Sequence, residues 1–208
     1  MPILIMAPLL RVKGRGARRG TFVTTIIYFS SIGLGFMFME IVLIQRMIPL
    51  LGEPIYAISA VLFTLLISTG VGSYLSGYFR VIERCSRHVL LTLPLLIVAY
   101  LLILGGLVDG MSGMGLASRY VATFLTLFPL GAAMGIPFPA GISILSEKRG
   151  DLIPWAWCIN GSFSVVSSTL AMMVALVSGF QAVQTLSALF YLIAWLALVR
   201  LGNTAGGE

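Results

Sequence analysis

Charged side chains are scarce in this chain. Of its 208 residues, seven are acidic and thirteen are basic, so charged residues make up 10% of the sequence. A soluble domain carries about 25% charged residues. Hydrophobic residues account for 59%. This balance excludes an ordinary soluble domain and predicts an integral membrane protein.

Metal-ligating and catalytic side chains are also few. The sequence has one histidine, His88, and two cysteines, Cys85 and Cys158. This set is too small for the ligand groups that hold a zinc ion. No paired acid and base, and no nucleophile beside a base, is evident in the sequence. We therefore expect no cofactor and no enzymatic activity.

The sequence contains long apolar runs. A helix that crosses the hydrocarbon core needs about 20 mostly apolar residues. Six stretches reach this length: 21–47, 55–79, 89–108, 119–145, 155–178 and 181–201. The connections between them are short, which makes successive helices antiparallel neighbours. The prediction is an all-α polytopic membrane protein, a compact bundle of six transmembrane helices.

The domain boundaries follow from the same pattern. A basic N-terminal segment is predicted at 1–20, the transmembrane domain at 21–201 and a flexible tail at 202–208. The basic segment is expected to contact anionic lipid headgroups.

Basic residues fall mainly on one side of this predicted bundle. Arg46 and Arg119 lie on one side, and the other eleven lie on the opposite side: Arg11, Lys13, Arg15, Arg18, Arg19, Arg80, Arg84, Arg87, Lys148, Arg149 and Arg200. The positive-inside rule assigns the more basic side to the cytoplasm. Both termini are therefore predicted to be cytoplasmic, in a bacterial inner membrane. This placement of charge argues against nucleic-acid binding.

Small side chains recur at helical spacing in several spans. Such stripes let membrane helices approach closely, and we interpret them as packing surfaces. They comprise Thr64, Ser68 and Gly72 in the second span, Gly131 and Gly135 in the fourth, and Asn160, Ser164, Ser167 and Ala171 in the fifth.

The fourth span contains GIPFPAG at 135–141, which predicts a broken helix. Pro137 and Pro139 lack amide donors, so the carbonyls of Ala133 and Gly135 lose their usual partners. Inside a membrane such carbonyls need protein groups or water. Asn160, at the start of the next span, is expected to donate to them. The predicted inner polar cluster comprises Pro137, Pro139, Asn160 and Ser164.

The first span contains polar side chains within GFMFMEIVLIQR at 35–46. Glu40 shares a helical face with Gly33, so it should point towards other helices and needs either a partner or a proton. Arg46 lies about 240° around the helix from Glu40. It is expected to reach the outer interface or to pair with Glu53. The predicted outer cluster comprises Glu40, Gln45, Arg46 and Glu53.

Two blocks carry a family resemblance. One combines Glu40, Gln45 and Arg46 with the LGEPIY turn at 51–56 and GVGS at 70–73. The other is PWAWCINGSFSV at 154–165. Both resemble the membrane part of spermidine synthase-like integral membrane proteins. In that family such helices usually adjoin a soluble aminopropyltransferase-like domain. The 208 residues do not contain this domain, so no activity is carried over.

Two functions remain open at this point. The chain is predicted to be a transporter-like module that binds or passes a small polar solute, a cationic one included, and that serves a cytoplasmic synthase-like partner. The alternative is a non-catalytic structural subunit of a membrane complex, whose polar groups dock helices, a partner chain or a second copy.

Overall fold

The described residues of this protein form helices and no β-strand. The computed structural model describes the backbone of residues 16–78 and 82–203, and the side chains of 20–77, 90–147 and 149–201. The helices are α1 (Gly16–Leu51), α2 (Pro54–Tyr78), α3 (Ile82–Met111), α4 (Leu116–Met134), α5 (Pro137–Lys148) and α6 (Ile153–Asn203), with a short 3₁₀ helix at Gly150–Leu152. The predicted all-α class is confirmed.

Five stretches of the described chain are long and apolar enough to cross a membrane. They are Gly20–Leu51, Pro54–Gly77, Leu90–Met111, Leu116–Glu147 and Gly150–Leu201. Large apolar side chains on their outer surfaces are exposed, as lipid-facing residues are. The predicted count of six spans is not reproduced, because the fifth and sixth predicted spans both lie within the single helix α6.

Helix α6 is interrupted at Gly179. This residue has φ 81° and ψ 166°, a conformation that favours glycine. Before the break, the Ser167 hydroxyl donates to the carbonyl of Leu34 at 3.1 Å. After it, the Ser187 hydroxyl donates to the carbonyl of Gly35 at 2.7 Å. The two parts, α6a (153–178) and α6b (180–203), therefore pass the same level of α1 as a helical hairpin.

The long helix α1 lies at the centre of the fold. Its side chains take part in all three apolar clusters, and the largest of those that are fully inaccessible include Tyr28, Phe29, Met39 and Leu43. One cluster joins α1 to α2, α3, α4 and α6b, a second joins it mainly to α5 and α6, and the third joins it to α6. Because α1 touches every other helix, it sets the position of the residues described below.

The two ends of the bundle carry different groups. At one end Phe22, near the start of α1, packs edge-on against Trp155 at 6.0 Å between ring centroids. Leu145 near the end of α5 and Leu198 near the end of α6b belong to the same apolar cluster as Phe22. We refer to this as the tryptophan end. The opposite end, where α1 finishes and α4 begins, carries Arg119 and is the arginine end.

Some predicted boundaries require correction. The segment 80–88 was expected to be a loop, but α3 begins at Ile82. Residues 82–88 contain neither glycine nor proline, so the helix extends past the apolar region. Helix α6 likewise continues through Asn203, into the predicted tail. The predicted lipid contact of the basic segment falls mainly on residues 1–15, which lie outside the described residues, as does most of the tail.

Candidate functional site

A break in the fourth predicted span organises the site. Helix α4 ends at Met134 and α5 starts at Pro137, so the predicted interruption is present. The amide of Ile136 donates to the carbonyl of Ala133 at 3.3 Å, and the amide of Gly135 donates to that of Gly131 at 3.0 Å. The bond from Ile136 therefore spans three residues, as in a 3₁₀ turn, in place of the four-residue bond of an α-helix. It forms where Pro137, which has no amide hydrogen, cannot donate to Ala133.

Tyr28 of α1 fixes the position of this break. Its hydroxyl donates to the carbonyl of Pro137 at 2.6 Å. Its ring lies where a side chain at Gly141 would otherwise be, so glycine is required for this close approach. Tyr28 was not predicted from the sequence, because one tyrosine in an apolar span gives no local sign of a distant partner.

A cavity of about 350 Å³ lies beside the break. Its floor is formed by α1, one side by α2, the opposite side by α6a, and one end by the break and α5. Hydrogen-bonding side chains come from the two sides: Thr69 and Ser73 from α2, and Asn160 and Ser164 from α6a. The volume is within the range of small-ligand sites.

Gly33 of α1 brings the Asn160 side into position. A Cβ at Gly33 would lie 2.8 Å from the carbonyl oxygen of Asn160 and 3.1 Å from Oγ of Ser164. The Ser164 hydroxyl donates to the Asn160 carbonyl at 2.8 Å. Asn160 Oδ1 is buried against Gly33 and has no hydrogen-bond partner. The close packing of α6a on Gly33 therefore determines the position of the Asn160 side-chain amide.

The expected bond from Asn160 to the freed carbonyls is not formed. Among the described residues, no hydrogen bond joins the Asn160 amide to Ala133 or Gly135. The physical reason is local, because the amide of Ile136 already donates to Ala133 while the Asn160 side chain packs on Gly33. The Asn160 amide nitrogen thus has no acceptor among the described residues.

The predicted inner cluster is largely brought together. Pro139, Asn160 and Ser164 line the cavity, whereas Pro137 is buried and holds Tyr28 through its carbonyl. The rest of the predicted α6a stripe also faces α1: Ser167 bonds to it, and Ala171 is buried against it. The stripe acts as a packing surface along its length and lines the cavity at one end.

The residues of the predicted outer cluster form no side-chain bonds with one another in the described structure. Glu40, Gln45 and Arg46 are half-buried, Glu53 is exposed, and none of them forms a side-chain hydrogen bond or ion pair within the described part of the chain. The expected pair between Arg46 and Glu53 is therefore absent. Glu53 instead lies in the exposed turn before α2, where its carbonyl accepts the amides of Tyr56 and Ala57.

Arg119 makes contacts that were not predicted from the sequence. Its Nη1 donates to the carbonyl of Leu50 at 2.9 Å and its Nε to that of Met114 at 2.9 Å. Its Nη2 donates to the carbonyl of Ser112. This guanidinium therefore ties the end of α1 to the α3–α4 turn. The signal was present in the sequence, since Arg119 is one of two basic residues on the less basic side.

Comparison with known proteins adds no assignment. No family model, curated protein or solved structure matches the chain. The resemblance to spermidine synthase-like membrane proteins therefore stays a prediction. Within the ranges that the structure describes, no group of three or more His, Cys, Asp or Glu side chains could hold a metal ion.

Proposed function

We propose that this protein is a transporter-like membrane module that binds a small polar solute in the cavity beside the 135–136 break. The observation that carries the proposal is the cavity itself. Asn160 lines it with a side-chain amide whose nitrogen has no partner among the described residues, next to an interrupted helix. Interrupted helices form the solute sites of many transporters, because they free backbone groups inside the membrane.

The proposed topology has six crossings. Helix α6 has 51 residues, which at 1.5 Å per residue is about 77 Å, more than twice the roughly 30 Å of a hydrocarbon core. The break at Gly179 divides it into two segments that each suit one crossing. With the basic residues as counted from the sequence, the tryptophan end and both termini face the cytoplasm, in a bacterial inner membrane.

The solute proposed for this cavity is uncharged. Its lining contains hydroxyl, amide, backbone and apolar groups, and no acidic or basic side chain. An ionic solute would lose its hydration without gaining a counter-charge. Glu40 lies outside the lining, so the cationic solute considered from the sequence has no support at this position.

Cysteine accessibility tests the proposal. In a variant lacking Cys85 and Cys158, Ser164→Cys should react with N-ethylmaleimide in membranes, because its side chain lines the cavity. Ser167→Cys is the matched control and should stay unreactive, since Ser167 is fully buried against α1 one turn further on. Gly70→Leu should slow the reaction of Ser164→Cys, because Gly70 lines the cavity and has open space for a side chain.

The result that would contradict the proposal is equal inertness of Ser164→Cys and Ser167→Cys. The cavity would then be closed to small polar molecules, and the polar groups would serve only in helix packing.

One observation favours the second candidate, a structural subunit. Glu40, Gln45 and Arg46 are polar, half-buried and without a side-chain partner in the described part of this chain. Polar groups within a span usually pair across helices, so a second chain would satisfy them. Native mass spectrometry of the wild type and of Glu40→Gln tests this: a dimer that the substitution dissociates supports a subunit, whereas monomers in both samples exclude self-association.

A further inference from the structure

The cavity has an asymmetry along the membrane normal. On its α2 side, Ser73 lies five residues before the end of α2, about 8 Å from it, and Leu66 lies twelve residues before that end, about 18 Å. Asn160 lies seven residues after the start of α6, about 10 Å in. Ser73 and Asn160 therefore lie nearer the tryptophan end than Leu66, which belongs to the deeper part of the lining.

The free hydrogen-bonding groups are at the shallow end. The Ser73 hydroxyl and the Asn160 amide nitrogen have no partner among the described residues. The deeper hydroxyls are already committed, since Thr69 donates to Leu65 and Ser164 to Asn160. A ligand therefore meets its unused partners close to the interface.

The cavity opens sideways. Helices α2 and α6a form opposite walls but have almost no direct contact with each other. Leu66, on the rim, is 73% exposed, and Gly70 one turn along is exposed as well. In a bilayer this gap faces acyl chains, because it lies on the outer surface of the bundle.

From these three observations we infer that the ligand is an uncharged amphiphile that enters from the bilayer between α2 and α6a. Its head carries a carbonyl or hydroxyl oxygen for the Asn160 amide, and its apolar part lies along Leu66 and Phe36. A monoacylglycerol has this chemistry. The inference rests on the proposed function and specifies the ligand class of the same site.

The test uses the Ser164→Cys variant, without Cys85 and Cys158, in phosphatidylcholine vesicles. N-ethylmaleimide reaction is measured with monooleoylglycerol, oleyltrimethylammonium or oleyl phosphate in the bilayer, or with glycerol in the water. Monooleoylglycerol should slow the reaction, whereas the two charged amphiphiles and glycerol should not. Asn160→Leu should weaken this protection by about 2- to 10-fold, the effect of one lost neutral hydrogen bond.

A matched pair of glycines controls for occlusion. Gly70→Leu should remove the effect of monooleoylglycerol. Gly77→Leu should preserve it, because Gly77 lies on the same helix outside the cavity and also has open space.

The outcomes separate the two proposals. Three results would contradict an uncharged amphiphile as the ligand while the cavity remains a solute site. They are protection by glycerol alone, equal protection by all three amphiphiles, and no protection. Failure of Ser164→Cys to react in plain vesicles removes the proposed function and the inference with it.

Discussion

Tyr28 and Tyr191 are both fully buried, but only one of them has a hydrogen-bond partner for its hydroxyl. Tyr28 donates to the Pro137 carbonyl across a sequence separation of 109 residues. The hydroxyl of Tyr191 is buried without a partner in the described structure. A buried hydroxyl costs free energy unless it is bonded. The same chemical change should therefore have opposite consequences at these two positions.

We expect Tyr28→Phe to lower the free energy of unfolding by about 0.5–1.5 kcal/mol, the net contribution of one hydrogen bond. Tyr191→Phe should leave it unchanged or raise it, because the substitution removes an unsatisfied group without changing the shape of the side chain. Equilibrium unfolding in mixed micelles of increasing SDS content measures both. A larger loss for Tyr191→Phe than for Tyr28→Phe would contradict the assignment.

Arg119 acts on three carbonyls that belong to two separate segments. Its bonds reach Leu50 at the end of α1 and Ser112 and Met114 in the α3–α4 turn. The last carbonyls of a helix lack internal partners, so a cation placed there stabilises the helix end. At the level of elements, this residue holds α1 and α4 together at the arginine end.

Arg119→Gln should lower the melting temperature and speed proteolysis in the 112–115 turn. Charge-assisted hydrogen bonds contribute about 1.5–3 kcal/mol each, although exposure to solvent reduces this figure. Arg46→Gln is the matched control, because Arg46 has no side-chain partner among the described residues. If both variants had the same melting temperature as the wild type, Arg119 would have no role in holding the turn.

The contact between α2 and α4 depends on glycines that have no room for a side chain. A Cβ at Gly72 would overlap the carbonyl of Ala132, and one at Gly135 would overlap the backbone of Thr69. Gly70, two residues from Gly72 on the same helix, has open space. The predicted small-residue stripes on these two helices are therefore an interface in which backbones touch.

Gly72→Ala should destabilise the protein by about 1–3 kcal/mol, because the helices must separate. Gly70→Ala should be neutral or stabilising by about 0.5–1 kcal/mol, since alanine favours the helix. Thermal melting of the detergent-solubilised protein compares the two directly. A similar loss at both positions would mean that α2 and α4 do not pack through this face.

The orientation of the whole molecule can be tested with three exposed positions. In the variant without Cys85 and Cys158, Gly113→Cys and Ser178→Cys should react with an impermeant thiol reagent added outside intact cells. Gly150→Cys should react only after the cells are opened. The proposed six crossings would place Ser178 on the same side as Gly113 and opposite to Gly150, and the positive-inside rule predicts that Gly150 is inside.

The reversed labelling pattern would overturn the orientation. Protection of Ser178→Cys under both conditions would place the Gly179 break inside the membrane and contradict six crossings.

The sequence alone determined the class of protein and the elements whose causes are local. Its apolar runs predicted helices of membrane-spanning length, because hydropathy is a property of consecutive residues. Pro137 predicted the end of α4, because a proline lacks the amide that the helix needs. The stripe from Asn160 to Ala171 was predicted as a helix-facing surface, because helical spacing alone puts these residues on one face.

Only the tertiary structure decided which distant groups meet. Tyr28 and Pro137 are 109 residues apart, and Arg119 and Leu50 are 69 apart, so no local pattern relates them. The cavity exists because α2 and α6a flank α1 without packing on each other. Asn160 was expected to bond the broken helix, but Gly33 allows α1 so close that the side-chain amide oxygen packs on this glycine instead. Such choices depend on the packing of several helices at once, which the pattern of a single helix does not contain.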